Sequence, residues 1–470
     1  MAIDSDIAVI GGGPAGYVGA IRAAQLGARV TLIEKEFLGG TCLNWGCIPS
    51  KALLESAHRY DVLQRASEFG LTASGIGYDM GAIQARKEKV VRQLRGGVEQ
   101  LVKGNGITYL NGFASFQDPH RLQVKLADGS VDEVRAKNVV IATGSTEGRP
   151  PVPGITLPGV FDSRAGLSLK EIPKSVIIVG AGPIGVEFAT YFSTFGSQVT
   201  LVEMLPRVVP LEDVDISKAL AQQFTRRGMQ IRTDSRLEEI HQASDGFLEA
   251  VITNPQGTET LRAEKIMVAA GRPPYTEGLG LERIGAQMNR RSIQVDSRMR
   301  TNVSGVFAAG DAVGGGLAHV GSMQCEVAVE NALGHDVEMD YRGIPGVTFS
   351  NPQVASVGLT EEKARETGQA IQVGTFPWVA NSKAVIGGDT AGFVKVVAEA
   401  KYGQILGIHM IGPEVTELIA NAVQSVVMEA TVEDIAHTIF AHPTLPESFK
   451  EATLDVEGRA IHFLKRPARR

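Results

Sequence analysis

Two of the chain's three cysteines, Cys42 and Cys47, stand with four residues between them in GGTCLNWGCIPSK, residues 39–51. A thiol pair at that spacing can be a structural staple, part of a metal site or a redox couple. Zinc asks for four ligands, and no second cysteine pair or histidine pair accompanies these two. Three cysteines in 470 residues cannot form a disulfide framework, and a reducing compartment leaves persistent disulfides mainly to catalysis. The redox couple is therefore the favoured reading, with staple and metal as its alternatives. CIPSKALLESAHRY can begin a helix, with Pro49 suited to its first turn. A thiolate near a helix N-terminus is favoured by the dipole, which lowers its pKa and suits it to exchange.

What must hold such a pair is visible in an internal duplication. DIAVIGGGPAGYVGAIRAAQLGARVTLIE (6–34) and SVIIVGAGPIGVEFATYFSTFGSQVTLVE (175–203) run in step: a β-branched strand, a glycine turn, a helix-period stretch and a second strand ending in glutamate. In each copy the acid stands 18 residues after the last fingerprint glycine, close to the roughly 20 expected of a dinucleotide site. Gly11 and Gly180 permit the tight turn. Gly13 and Gly182 let a pyrophosphate approach the backbone, and Gly16 and Gly185 allow close helix–strand packing. Pro14, Ala15 and Ile184 lie in the same turns, where the helix N-terminus receives the anion. Glu34, followed by Lys35, and Glu203 are placed to accept from ribose hydroxyls. Two such folds imply two nucleotide cofactors. Because the cysteines begin only eight residues after Glu34, and a flavin exchanges electrons with a dithiol, FAD is assigned to the first fold and NAD to the second.

The remaining sequence fixes organisation. Val90, Val91, Leu94, Val98, Leu101 and Val102 recur at helical spacing before Gly104 and Gly106. KNVVIATGS (137–145), KIMVAAGRPP (265–274) and GVFAAGDAVGG (305–315) each read as a strand running into a small-residue turn. RPPVPGI (149–155) reads as a domain crossing. The expected architecture is α/β, with two Rossmann-like dinucleotide-binding folds and a C-terminal α+β dimerisation domain. The expected bounds are 1–149 for the FAD-binding domain, 150–273 for the NAD-binding domain, 274–343 for a central segment completing the FAD site, and 344–470 for the interface domain. A net charge of −6 gives no surface suited to nucleic acid. No apolar run reaches the roughly 18 residues of a spanning helix. The acidic start MAIDSDIAVIGGG does not resemble a signal peptide, which points to a cytoplasmic protein.

GGTCLNWGCIPSK, both fingerprints, ATG at 142–144, GD at 310–311 and HPTLPE at 442–447, in that order, resemble the flavin-dependent pyridine nucleotide-disulfide oxidoreductases over essentially the whole chain. The resemblance implies that Cys42 is the thiol exchanging with substrate sulfur and Cys47 the thiol against the flavin. It implies that Lys51 lies beside the flavin ring and pairs with Glu187. It also implies that Asp311, after Gly310, bonds the ribityl chain, and that Ala318 and His319 line the ring. Gly40, Thr41, Thr143, Gly144 and Gly271 join the candidate cofactor-binding positions. His442 and Glu447 resemble the acid–base pair, which in this family comes from the neighbouring subunit, so a homodimer is expected. Thiol chemistry agrees, because a thiol near pKa 8.5 needs a base at neutral pH and histidine is best matched to it.

Within the family, the CIPSK ending and an acid at 203 resemble the lipoamide enzymes, which use NAD and serve a lipoyl-carrying protein. The expected function is oxidation of protein-bound dihydrolipoyl groups with NAD+. The alternatives are an NAD(P)H-dependent disulfide reductase for a small thiol, as in glutathione reductase, and a non-catalytic flavoprotein subunit. Arg207, four residues after Glu203, tempers the preference for NAD. Trp45 between the cysteines departs from the usual pattern and could alter flavin packing. Cys325, in a segment that departs from the family form, reads as buried and inert. Lys465, Arg466, Arg469 and Arg470 read first as a solvated tail, and otherwise as a basic rim steering an acidic carrier protein.

Overall fold

The computed structural model describes residues 2–464. The basic run at 465–470 lies outside them.

The first fingerprint builds a parallel sheet. Strand Ala2–Ile10 lies between Val30–Glu34 and Val131–Ile141, and the sheet continues through Thr108–Asp118 on one side and Val306–Ala308 on the other. Arg121–Leu126 pairs antiparallel with both Thr108–Asp118 and Val131–Ile141. Ile7, Val9 and Leu32 are fully buried, because strands covered on both faces read as continuous apolar runs. The short strand Val306–Ala308 belongs to the segment after the second fold, so the chain returns to the first sheet before it enters its final unit.

The second fold repeats the plan with five parallel strands in the order Val160–Asp162, Lys265–Val268, Ser175–Val179, Gln198–Val202, Gln230–Arg232. A three-stranded antiparallel sheet over 236–263 is attached to it. The two connections between the folds run side by side: the Gly148 amide donates to Gly271 O at 3.0 Å, and the Thr146 amide to Pro273 O at 3.0 Å. These bonds lie just before the Pro-rich stretch 149–155.

The expected helix over 90–102 starts earlier, at Met80, with the Asp79 side chain capping the Ala82 amide, and runs to Gly104. Val91, Val98 and Val102 are buried, whereas Leu94 and Leu101 face outward. A 25-residue helix drifts around its axis, so one apolar stripe read at a single spacing does not all meet the core. From Gly346 a five-stranded antiparallel sheet forms the last unit. Helices Val415–Val427 and Glu447–Asp455 pack on its strands. Among the described residues no helix is long and apolar enough to cross a membrane.

Candidate functional site

Both glycine turns have the geometry their sequences demand. Gly11 and Gly180 sit at φ +108° and +103°, and a Cβ on either would lie 2.2 or 2.5 Å from a carbonyl oxygen, Ala142 O or Ala269 O. A Cβ on Gly16 or Gly185 would fall within 2 Å of the oxygen of Gly11 or Gly180. By contrast, a Cβ on Gly182 would meet nothing within 4 Å, which leaves an open cradle at the N-terminus of helix Pro183–Thr194. The glutamates behave as twins. Glu34 Oε2 accepts from the Gly12 amide at 2.7 Å and Oε1 from the Glu36 amide at 2.8 Å; Glu203 Oε2 accepts from Ala181 at 2.7 Å and Oε1 from Leu205 at 2.9 Å. Each oxygen keeps a lone pair for a ribose hydroxyl. Burial holds the Glu34 pKa above the ordinary carboxyl range, against the two amides. These turns fit two dinucleotides.

The cysteine segment is pressed onto the first turn. Gly40, at φ +54°, has no room for a Cβ, which would lie 2.6 Å from Gly13 Cα, and the Gly39 amide donates to Gly12 O at 2.7 Å. A short helix, Gly40–Trp45, carries Cys42, and helix Cys47–Gln64 starts at Cys47 itself. Both cysteines are free thiols, and their side chains are in hydrogen-bond contact. The Cys42 thiol donating to Cys47, aided by the Lys51 charge and opposed by desolvation, lowers the Cys47 pKa to about 7. Cys42 moves the other way, upward, because of that same hydrogen bond and its burial. The pair is thus polarised: thiolate at Cys47, thiol at Cys42.

Lys51 lies one helical turn from Cys47, and its Nζ bonds both carboxylate oxygens of buried Glu187, at 2.7 and 2.8 Å. Glu187 Oε1 also accepts from the Phe349 amide at 3.0 Å, and Lys51 Nζ lies 4.7 Å from the Phe349 ring centroid. One ion pair therefore joins the cysteine helix, the second fingerprint helix and the start of the last unit.

The Asp311 carboxylate accepts from the Ser145 hydroxyl, just after Thr143 and Gly144, and Thr143 Oγ1 donates to Tyr275 O at 2.6 Å. Lys35 Nζ stands 3.6 Å from the Tyr275 ring centroid. Ala318 and His319 open helix Ala318–Ala332, with His319 Nε2 3.0 Å from Pro345 O. The sequence reading missed two residues here. Arg272 donates to Ser145 Oγ and Ser145 O, both at 3.1 Å, and to Glu147 Oε1 at 3.1 Å, and its Nη2 is 3.4 Å from Thr41 Oγ1. Buried Gln324 accepts from the Gly310 amide at 2.8 Å. Arginine after the glycine of KIMVAAGRPP was the available signal for the first; no sequence signal marks the second.

Trp45 ends the short helix that carries Cys42. Its ring lies 3.9 Å from the Arg164 guanidinium carbon and 6.1 Å from the Phe37 ring, between centroids where rings are measured. Cys325 is fully buried, its pKa pushed up to about 12 by burial, and its Sγ would lie 2.3 Å from a Cβ on Gly19.

His442 and Glu447 form a pair away from the cysteines. Glu447 opens helix Glu447–Asp455; its Oε1 is 3.0 Å from His442 Nδ1, and its Oε2 accepts from the Thr444 amide at 2.8 Å. Those bonds outweigh the cost of burial and hold the Glu447 carboxyl below its ordinary pKa. An ionised carboxylate only accepts, so Nδ1 carries the hydrogen and Nε2 is left as a base. Within one chain this pair is exposed and, among the described contacts, bonds neither cysteine.

The pyridine nucleotide-disulphide oxidoreductase family matches residues 5–332, and its dimerisation domain matches residues 344–453. The chain belongs to this family. It is 40% identical over 469 residues to a dihydrolipoyl dehydrogenase of Zymomonas mobilis, covering 98% of this chain and all of that one. Among solved structures it is similar to LpdA of Mycobacterium tuberculosis (TM-score 0.88, 29% identity, 96% and 99% of the two chains covered). It is likewise similar to the flavoprotein disulfide reductase RclA of Escherichia coli (TM-score 0.84, 31% identity, 95% and 99% covered). FAD and a pyridine nucleotide are the cofactors of this family, which accords with two dinucleotide turns meeting at one dithiol.

Proposed function

We propose that the chain oxidises protein-bound dihydrolipoyl groups to lipoyl groups with NAD+ as acceptor, as a cytoplasmic homodimer. The observation that carries the reading is the Cys42 and Cys47 thiol pair, pressed onto the first nucleotide turn and one helical turn from the ion pair of Lys51 with Glu187 of the second fingerprint helix. The substrate class follows the dihydrolipoyl dehydrogenases to which the chain is about 40% identical. The first turn with Glu34, Gly40, Thr41, Thr143, Gly144, Asp311, Ala318 and His319 would hold FAD, which supplies the two-electron centre between dithiol and nicotinamide. The second turn with Ile184, Glu203 and Gly271 would hold NAD.

In the oxidised enzyme Cys42 and Cys47 share a disulfide. His442 Nε2 of one subunit takes a proton from the substrate thiol at its partner's dithiol. The substrate thiolate attacks Cys42, the Cys42–Cys47 bond breaks, and Cys47 leaves as the thiolate. The second substrate thiol then attacks the substrate sulfur of the mixed disulfide and closes the lipoyl ring. Cys42 leaves and takes the first proton from the histidine, and the second thiol's proton passes to the freed imidazole. Two electrons and two protons pass from substrate to enzyme. Cys47 is the better leaving group because its pKa is the lower of the two, and exchange is faster when the low-pKa thiol leaves.

The dimer is supported by the family's dimerisation domain and by apolar side chains left open on that unit, where Ile439, Met428 and Ile461 are 95%, 79% and 75% exposed in one chain. The absence of a cysteine framework accords with a reducing compartment.

The test compares NAD+ reduction by dihydrolipoamide with NADPH oxidation by glutathione disulfide, in wild type, Cys47→Ser and His442→Gln. The expected result is turnover in the first assay only, abolished by Cys47→Ser with FAD retained. Co-expression of the two variants should restore part of the activity, since a mixed dimer keeps one intact site. Faster glutathione disulfide reduction would overturn the substrate assignment, and no complementation would overturn the shared site.

A further inference from the structure

Arg207 lies on the loop that leaves Glu203, and both ends of that loop are tied to the second nucleotide turn. The Leu205 amide donates to Glu203 Oε1 at 2.9 Å, and the Val209 amide to Ala181 O at 2.8 Å. A guanidinium on the loop that follows the ribose-binding glutamate is the kind of group that recognises a 2′-phosphate, where planar, bidentate donors are favoured. Its terminal nitrogens are already engaged. Arg207 Nη2 and Nη1 bond Glu362 Oε2 and Oε1 at 2.9 and 3.4 Å, across 155 residues of sequence and from the dimerisation domain. Its Nε is buried and has no hydrogen-bond partner among the described residues.

Glu362 is held in place by a cluster beneath it. It stands in the first turn of helix Glu361–Glu366, whose Glu361 amide donates to Asp213 Oδ2 at 3.1 Å. Lys395, fully buried, bonds Asp213, Asp215 and Glu361 at 2.8, 2.7 and 2.8 Å. That cluster fixes the start of the helix to the nucleotide fold.

We infer that Glu362 is a specificity-determining residue, which engages Arg207 and so keeps a 2′-phosphate out of the adenosine-ribose site. This rests on the reading of the second fold as the NAD site. Two carboxylates then act on one discrimination: Glu203 accepts from ribose hydroxyls, and Glu362 occupies the donors a phosphate would need.

The experiment measures calorimetric binding of 5′-ADP and 2′,5′-ADP to the FAD-loaded protein at low salt. The proteins are wild type, Glu362→Gln, Glu362→Ala, Arg207→Ala and Arg207→Ala/Glu362→Gln. Freeing a surface-paired arginine should improve 2′,5′-ADP binding relative to 5′-ADP by about fivefold, the equivalent of about 1 kcal/mol. Both Glu362 variants should show the gain, it should shrink at high salt, and it should vanish when Arg207 is absent. No gain in either Glu362 variant overturns the inference, as does a gain that persists without Arg207. Failure of wild type to bind 5′-ADP or NAD+ at all would overturn the NAD reading itself.

Discussion

Lys51 and Glu187 should move the Cys47 titration in opposite directions. Lys51 favours the Cys47 thiolate and the Glu187 carboxylate disfavours it, and the two are locked together at 2.7 Å. At a Cys47 pKa of about 7, roughly three-quarters of that thiol is ionised near pH 7.5. Lys51→Met removes the cation and leaves the Glu187 charge, so the midpoint should rise by about 1 to 1.5, toward the free-cysteine value near 8.5. The ionised fraction near pH 7.5 then falls to between about a quarter and a tenth. Glu187→Gln removes the opposing charge and should lower the midpoint. An alkylation rate at one pH is the wrong readout, because a more basic thiolate is also more nucleophilic. With a Brønsted slope of about 0.4–0.5, that gain is about four- to fivefold and hides most of the loss. The informative measurement is ultraviolet thiolate absorbance of the reduced protein against pH, with the Cys47→Ser curve subtracted. Midpoints that move the same way in both variants, or in neither, would refute the electrostatic account of this site.

Lys395→Met should destabilise the fold by about 3–5 kcal/mol, since it strands the fully buried Asp213 carboxylate. In wild type the Asp213 pKa is depressed, burial being outweighed by Lys395 and the two amides, so its contribution is present above the unfolded pKa near 4 and is lost as pH falls through the lower folded value. The stranded carboxyl of the variant instead binds a proton readily, so the gap between variant and wild type should narrow from pH 7 to pH 4; a constant gap in denaturant melts counts against the charge argument. Gly19→Ala should cost about 1–3 kcal/mol through its clash with Cys325 Sγ, and Cys325→Ala should relieve most of it in the double variant. Equal melting temperatures for the single and double variants would remove that contact as the cause.

The duplicated fingerprints were legible because each glycine answers a steric demand made by a backbone atom a few residues away, as Gly16 does with the oxygen of Gly11. The pairing of Glu34 and Glu203 with their own turns was not legible: spacing places an acid near the ribose but does not reveal that its oxygens already hold loop amides. Trp45 ends the short helix Gly40–Trp45, where its ring meets Phe37, eight residues before it, and Arg164, which is far away in sequence. Arg272, Glu362 and Lys395 each work through partners far away in sequence, and no local pattern records such a partner.

The polarity of the dithiol joins the two halves of the site. Cys47 gains its low pKa from the Cys42 thiol and then from Lys51, both within one chain. His442 gains its orientation from Glu447, also within one chain, but it reaches no cysteine there. A base placed on the Cys47 side would add little, since that sulfur is already largely ionised near neutral pH. On the Cys42 side the thiol pKa is raised, and there a proton must be supplied and removed in every cycle. The directions of the two shifts therefore point to Cys42 as the sulfur served by the histidine. If the partner's histidine serves Cys42, His442→Gln should slow the exchange with substrate while leaving the Cys47 titration midpoint in place. A shift of that midpoint would place the histidine on the wrong sulfur.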